Sequence, residues 1–214
     1  MNSYFHTLIT IDALGDKFSE NALNEIIKAN VKQDSIIGQV FHSEYHYDNN
    51  KIILSNQYIT NQKLVCLQAI RRSSIKSARK AFGRLIHTAQ DFYAHSNYAK
   101  LYAKFPPSPD FHEPFFDCLD SEILNDKDLR SHKVYFPIDH LSIFPFLAKI
   151  LRKHAPYNSH LRMNLDTPLS GELFVLVYRF AIKRTCAELN SILSEIGNAN
   201  DTNFIKFLGK VQLS

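Results

Sequence analysis

The chain has 214 residues, of which 45% are hydrophobic and 21% charged, and a formal net charge of +4 with a pI of about 8.9. This composition lies in the globular range and excludes collagen-like and low-complexity proteins. No apolar run approaches the roughly 18 residues that a transmembrane helix needs. Six glycines and eight prolines are few, which favours long helices over a sandwich of short strands. We therefore expect an all-α bundle with long irregular loops, forming one domain over residues 1–214.

The net charge and the cysteine content limit the possible partners and the cellular compartment of the protein. The positive charge permits an anionic substrate such as a phosphate ester without requiring nucleic acid. Cys66, Cys118 and Cys186 are far apart and odd in number, which favours a reducing compartment over a disulfide framework. The N-terminal sequence lacks a basic segment followed by a long apolar core, so we expect a cytoplasmic protein or export by a route without a cleaved signal. The sequence leaves the oligomeric state open.

In chain order, the first predicted elements are two amphipathic helices. The first covers residues 4–14, and the second begins after an N-cap at Ser19 and runs to about residue 33, with Asp34 at its end. Residues 35–61 follow neither period and predict loop and short extended pieces. Within them His42, Glu44, His46 and Asp48 alternate, so an extended backbone would place all four on one face. That pattern is typical of a metal site or of a solvated polar loop.

The remainder predicts three more helical regions. A long helix is expected over residues 61–102, with a potential break near 72–74 and a firm stop at the prolines of 105–109. Residues 110–138 look irregular. Further helices are predicted at 139–152 and 170–196, and the tail after residue 198 contains one short amphipathic turn.

The most informative stretch is residues 82–101, in which His87, Asp91 and His95 recur every four residues. At about 100° per residue, these side chains span an arc of roughly 80° on one helix face. They alternate with bulky apolar residues, so the helix is expected to be buried, where unpartnered polar groups are costly. Zinc, which takes imidazole and carboxylate ligands, would remove that cost. The alternative is a core helix whose histidines are satisfied by hydrogen bonds.

A cationic cluster leads into this stretch. Its members recur at spacings near three and four and are Arg71, Arg72, Lys76, Arg79, Lys80 and Arg84. Such a cluster is typical of a solvated helix face, and it would also suit a landing surface for phosphate or anionic lipid head groups.

The sequence FGRLIHTAQDFYAHSNYAKL, residues 82–101, resembles the heterokaryon-incompatibility C (Het-C) family, which is related to the superfamily of zinc-dependent phospholipases C and single-strand-specific zinc nucleases. FHTLITIDAL and EYHYDNN resemble two further segments of that superfamily. The resemblance implies metal ligands, which are His6, Asp34, His46, His87, Asp91, His95, His160 and Asp166. Within this set Asp91 would bridge two sites, and His95 would join His160 and Asp166 in a third. His112 with Asp117 competes for that third site, and Asp48, Asn49 and Asn97 are expected to orient the imidazoles.

The resemblance also implies a function. We expect a zinc-dependent phosphodiester hydrolase of the phospholipase C type, with about one to three zinc ions that activate water. Asp34 would both bind metal and accept a proton. The substrate would be a phospholipid or another phosphodiester, with peripheral membrane contact. One alternative is a nuclease of the same superfamily, in which Tyr45, Tyr47, Phe92 and Tyr93 are available to stack on bases. Another is a non-catalytic toxin-like or interaction module that keeps the metal-binding helix.

Overall fold

The structure, a computed structural model, describes residues 1–104, 117–141, 144–198 and 201–210. The predicted all-α multi-helix bundle is confirmed: the described residues form helices, and their only β-type pairs are the isolated bridges Ser96–Ser131 and Lys133–Ser159. The helices are α1 Ser3–Leu14, α2 Glu20–Val31, α3 Ile36–Phe41, α4 Ile52–Arg71, α5 Ile75–His95, α6 Tyr98–Tyr102, α7 Ser121–Leu124, α8 Ile138–Leu141, α9 Pro145–His154, α10 His160–Met163, α11 Phe174–Ile196 and α12 Thr202–Leu208. The single domain over residues 1–214 stays a prediction.

The first two helices lie close to their predicted positions because their ends are marked by side-chain caps. The Asn2 side chain accepts a hydrogen bond from the Phe5 amide at 3.1 Å, and Ser19 accepts one from the Ala22 amide at 3.4 Å. These caps satisfy amides that have no partner within their own helix. A 3-10 turn, Lys32–Asp34, follows α2 and carries Asp34 toward the centre of the bundle.

Helix α5 is the centre of the bundle and packs against α2, α4 and α11. All residues from Leu85 to His95 are buried. Gly83 allows α2 to approach closely, because a Cβ at this position would lie 2.4 Å from the Ile26 carbonyl oxygen. The predicted break at residues 72–74 is confirmed, and a second break at Ser96 and Asn97 separates α5 from α6.

Several sequence predictions are wrong in detail. Residues 35–61 contain α3 and the start of α4 instead of extended pieces. Residues 43–47 form turns, Asp48 begins a 3-10 helix and Tyr47 has a φ of 57°, so the four alternating side chains do not share a face. His46 and Asp48 are buried, whereas His42 pairs with Glu44 at 2.9 Å.

The C-terminal half differs in its helix boundaries. The helix predicted at 139–152 consists of α8 and α9, and α11 begins at Phe174 instead of residue 170. The predicted stop at 105–109 lies outside the described residues. No helix in the described part of the chain has the length and apolarity to cross a membrane. All three cysteines are free thiols.

Candidate metal centre

All eight predicted ligands lie in one cluster at the centre of the bundle. Four groups of side chains each place their ligand atoms within 4.8 Å of one another, and these groups are His6–Asp34–His87, His46–His87–Asp91, Asp48–His95–His132 and His95–His160–Asp166. His87 belongs to the first two groups and His95 to the last two, and His95 Nδ1 lies 3.9 Å from Asp91 Oδ2, so the four groups form a continuous row. Their assignment as metal ligands stays a prediction.

Asp91 lies in the middle of this row and is fully buried. Its Oδ2 is 2.9 Å from His46 Nδ1 and 3.3 Å from His87 Nε2, whereas its Oδ1 is 3.1 Å from His6 Nε2. The two oxygens therefore face different imidazoles. The predicted bridging role of Asp91 stays a prediction.

Three imidazoles are oriented by hydrogen bonds from their Nδ1 atoms to carbonyl oxygens. The pairs are His6 with Gln90 Oε1 at 2.6 Å, His87 with Asn30 Oδ1 at 3.0 Å, and His95 with the His46 carbonyl at 2.7 Å. An oxygen of this kind can only accept, so each Nδ1 carries the proton. In the neutral imidazoles of His6 and His87, Nε2 then has a free lone pair on the side of Asp91, which is how proteins orient histidines that bind metals.

The amides of Asn30 and Gln90 are held in this orientation by their own donors. Asn30 Nδ2 donates to Gln90 Oε1 at 3.1 Å, and Gln90 Nε2 donates to the Thr185 hydroxyl at 3.1 Å. Both amide groups also donate to the Thr10 hydroxyl. The hydroxyls of Thr10 and Thr185 donate their own protons to backbone carbonyls, so a reversed amide would bring its oxygen against an acceptor, and the network fixes which ring nitrogen of His6 and His87 is free.

Several ring nitrogens in the cluster have no hydrogen bond. His6 Nε2, His46 Nε2 and His132 Nδ1 are buried without a partner of hydrogen-bonding geometry. A buried polar atom without a partner costs about 1–3 kcal/mol. A cation that takes nitrogen and oxygen ligands would satisfy these atoms, so the residues present fit zinc.

The other end of the row is built around His95. Its Nε2 is 3.0 Å from Asp166 Oδ1, and His160 Nε2 is 3.7 Å from Asp166 Oδ2. Of the two predicted partner sets for His95, the structure therefore brings His160 and Asp166 to it. Asp117 is exposed and accepts a hydrogen bond from the Leu119 amide, and His112 lies outside the described residues.

Sequence reasoning missed His132, and it gave Asp48 an orienting role besides its place in the alternating pattern of residues 42–48. His132 Nε2 is 2.5 Å from Asp48 Oδ1, and both side chains are buried beside His95. The His132 amide donates to the carbonyl of His95 at 2.9 Å, which ties its backbone to the end of α5. A single histidine in an irregular segment has no periodic pattern, so the sequence contained no signal for it.

The expected orienting roles of Asn49 and Asn97 are wrong. Asn49 accepts a hydrogen bond from the Val134 amide at 3.0 Å, and Asn97 accepts one from the Arg130 amide at 2.8 Å. Both side chains hold the backbone around His132, and neither makes a hydrogen bond to an imidazole in the part of the chain that the structure describes.

A positive charge already lies among the carboxylates. The α-amino group of Met1 forms an ion pair with Asp91, and its nitrogen is 3.1 Å from Asp166 Oδ1 and 3.0 Å from His95 Nε2. Burial alone would lower the pKa of this group, but Asp166, Asp91 and Asp34 raise it to about 11. The cluster therefore has a potential that strongly favours cations.

The ionisation of the cluster suits metal binding. Burial, with a contribution from His6, lowers the pKa of His87 to about 3, and burial lowers that of His132 to about 3. Burial opposes ionisation of Asp91 and Asp166, yet the α-amino group and His95 hold both pKa values well below 3.8. Neutral imidazoles and ionised carboxylates are the forms that bind metals.

His95 is the exception to this pattern. Burial and the α-amino group lower its pKa, but Asp91 and Asp166 outweigh them and raise the pKa to about 9.

A cavity of about 390 Å³ gives access to the cluster. The ionisable side chains on its wall are Asp34, His46, Asp48, His95, Asp139, His160 and Asp166. His6, His87 and Asp91 lie behind this wall and are fully buried. The cluster thus has an inner part that is closed to solvent and an outer part that a small molecule can reach through the cavity.

The fold and the site define an all-helical domain with a buried histidine–aspartate centre. The sequence model of the VWA7 N-terminal domain family matches residues 2–114, and the chain belongs to this family. It is 29% identical over 85 residues to von Willebrand factor A domain-containing protein 7 of Rattus norvegicus and, equally, of Mus musculus. The match covers 40% of this chain and 10% of each relative, so the chain spans a small part of their length. In the comparison with solved structures, none matches significantly.

The family match overturns one prediction. The chain was expected to belong to the Het-C family and to be classified as a hydrolase of the phospholipase C type, but the matching family and the curated relatives are all VWA7 proteins. The 20-residue resemblance around His87 therefore does not show membership of that family. The zinc site and its chemistry now depend on the geometry of the cluster alone.

Proposed function

We propose that the central cluster binds about one to three zinc ions and that the chain hydrolyses a phosphodiester at this centre. The observation that supports the proposal is that Gln90 fixes His6 from behind while His6 Nε2 faces Asp91 without a hydrogen bond, and that His46 Nε2 and His132 Nδ1 are also buried without a partner. Such an arrangement is costly in a protein core unless a cation satisfies it.

When bound, zinc supplies a Lewis acid and lowers the pKa of water to about 7. The side chains divide the remaining tasks. Asp91 would hold the inner part of the centre through both oxygens, and His6 and His87 would be fixed by Gln90 and Asn30. The residues that line the cavity would contact the substrate.

Asp34 is our candidate proton acceptor. Its Oδ2 accepts a hydrogen bond from the Ser3 hydroxyl at 2.7 Å, whereas Oδ1 lies 3.7 Å from His87 Nε2. It lies on the cavity wall and is only partly buried, so one carboxylate oxygen can reach a water molecule in the cavity. A carboxylate in this position can both bind a metal and take a proton from attacking water.

Nucleic acid is less well supported as the substrate. Of the aromatic side chains expected to stack on bases, Tyr47, Phe92 and Tyr93 are buried in the core. Tyr45 is partly accessible, but its ring already stacks on His42 with centroids 4.4 Å apart. Base stacking needs exposed rings, so these residues do not provide a platform for a single strand.

A second candidate function is a metal centre that only stabilises the fold. The complete burial of His6, His87 and Asp91 favours it, because structural zinc sites are closed whereas catalytic sites keep an open position. The two candidates differ in one respect. If the centre is only structural, wild type does not hydrolyse phosphodiesters, so the loss of Asp34 cannot lower the turnover.

The test combines metal analysis with paired variants. Purified protein is expected to contain zinc, and Asp34→Asn should keep the fold and most of the metal while hydrolysis of a phosphodiester such as bis(p-nitrophenyl) phosphate falls by about 100-fold or more. His154→Ala, at an exposed position on α9, is the control and should behave as wild type. Protein without transition metal, and without a thermal shift on adding zinc, would refute the metal centre. Zinc-loaded protein without hydrolysis would favour the structural candidate.

A further inference from the structure

A second cavity, of about 500 Å³, lies between α2, α3 and α5 and is separate from the metal centre. We call it the basic groove. Its cationic residues come in two rows with four-residue spacing and are Lys28 and Lys32 on one side and Lys76, Lys80 and Arg84 on the other. All five side chains are exposed. The groove is thus a concentrated positive surface on a chain whose whole net charge is only +4.

The charge of the basic groove is not neutralised within the protein. Among the described residues, none of these five cations forms an ion pair with a carboxylate. Glu25 is the only acidic side chain that the described residues contribute to the lining, and it is already paired with Arg79 at 3.1 Å. The predicted basic cluster therefore has two parts. Arg79 holds α12 by donating hydrogen bonds to the Lys206 and Phe207 carbonyls, whereas Lys76, Lys80 and Arg84 in the groove remain available to bind an anionic partner.

Helix α3 forms the adjoining edge of the groove and exposes most of its apolar side chains. Ile36 is 81% exposed, Ile37 67%, Val40 58% and Phe41 74%. Ile37 also lines the groove, so the apolar and the cationic surfaces are continuous. Gly38 makes this position possible, because a Cβ there would lie 1.9 Å from the Gln33 carbonyl oxygen. The helix is thus held close to the end of α2 while its large side chains point outward.

From these two observations we infer that α3 and the basic groove form a docking surface for an anionic membrane. A short helix that projects isoleucine, valine and phenylalanine suits insertion at the boundary between head groups and acyl chains. Lysine and arginine beside it suit the negative potential of anionic lipids, which acts within about a Debye length. A soluble anion would match the cations but would leave four large apolar side chains in water, and an apolar protein partner would leave the cations unpaired.

This inference does not depend on the metal centre. Gln39 and Val40 of α3 also line the cavity of the metal centre, so membrane docking would place that cavity at the lipid surface. Docking is nevertheless expected in metal-free protein and in Asp34→Asn. The two proposals can therefore fail separately.

The test is sedimentation of the full chain with phosphatidylcholine vesicles that contain or lack about 30% phosphatidylserine, at low and high salt. Wild type is expected to bind only the anionic vesicles and to dissociate as salt rises. Ile37→Ser/Phe41→Ser and Lys76→Glu/Lys80→Glu should each weaken binding by about tenfold or more. Ile53→Ser and Lys127→Glu change exposed residues outside the groove and should not alter binding. Circular dichroism should show the same helix content for all variants.

Three results would overturn the inference. The first is wild type that does not bind anionic vesicles at low salt. The second is binding that the Ile37→Ser/Phe41→Ser variant retains in full, since α3 would then contribute nothing and the groove would be a simple anion site. The third is a concentration-dependent dimer in size-exclusion chromatography that this variant dissociates, which would assign the surface to a second copy of the chain.

Discussion

Replacing Asn30 with alanine tests how the metal centre is organised. Asn30 is fully buried, and its Oδ1 accepts the proton of His87 Nδ1 at 3.0 Å. The truncation leaves that donor without a partner, which should lower the free energy of unfolding of metal-free protein by about 1–3 kcal/mol. Because His87 also loses the group that orients it, zinc affinity should fall by about 10–100-fold. At 1.4 kcal/mol per tenfold change, that is a further loss of about 1.4–2.8 kcal/mol in the zinc-loaded protein.

The assay is a competition titration against a zinc-chelating dye, with urea unfolding of the same samples in the presence and absence of zinc. Asn203→Ala is the matched control: Asn203 also accepts one side-chain hydrogen bond, from Ser73 at 2.8 Å, but it lies on α12 away from the cluster. It should leave zinc affinity unchanged. The contradicting result is an Asn30→Ala variant that is less stable as expected but whose zinc affinity lies within about twofold of wild type. Asn30 would then not orient a metal ligand, and the assignment of His87 as a ligand would be wrong.

Three further predictions concern pH, packing and chelation. Glu188 is buried, and burial would raise its pKa, but Arg184 and Lys63 hold the pKa below the ordinary value of 4.5. Since the pKa of Glu188 is lower in the folded than in the unfolded state, its carboxylate stabilises the fold above the unfolded pKa, and this contribution is lost as pH falls through the folded pKa. The free energy of unfolding of Glu188→Gln should therefore depend less on pH below about 4.5 than that of wild type. Equal pH slopes for the two proteins would argue against the interaction of Glu188 with Arg184 and Lys63. Gly83→Ala should lower the free energy of unfolding by about 1–3 kcal/mol in urea titrations, because the new methyl group would push against the Ile26 carbonyl, and an unchanged midpoint would contradict the close packing of α2 on α5. Removal of metal with a chelator should lower the melting temperature of wild type, and added zinc should restore it. A melting temperature that does not change with chelator would contradict a site that binds zinc only in the folded state.

The parts of the centre that the sequence predicted are those with a local pattern. His87, Asp91 and His95 recur every four residues, and a helix turns such spacing into one face whatever surrounds it. The all-α fold was predictable for the same reason, because apolar residues recur at helical spacing over several turns in α1, α2, α5 and α11. The N-cap at Ser19, which the sequence also predicted, marks where the second helix begins.

The parts that the sequence could not predict depend on tertiary contacts. His132 reaches Asp48 only because its backbone is tied to the end of α5 and because Tyr47 adopts a positive φ, which turns Asp48 inward. A positive φ at a tyrosine is uncommon, and no propensity would suggest it. The orienting role of Gln90 was equally hidden, since a glutamine beside Asp91 is unremarkable until Asn30 and Thr185 are placed around it.

The most direct measurement is an anomalous scattering map of zinc-soaked crystals, collected above and below the zinc absorption edge. We expect at least one peak between His87 Nε2 and Asp91, and a second near His95 and Asp166, each with ligand distances near 2.0–2.2 Å. A map without a peak in this cluster, from protein that has been offered zinc at neutral pH, would contradict the metal centre and leave its histidines as a hydrogen-bonded core.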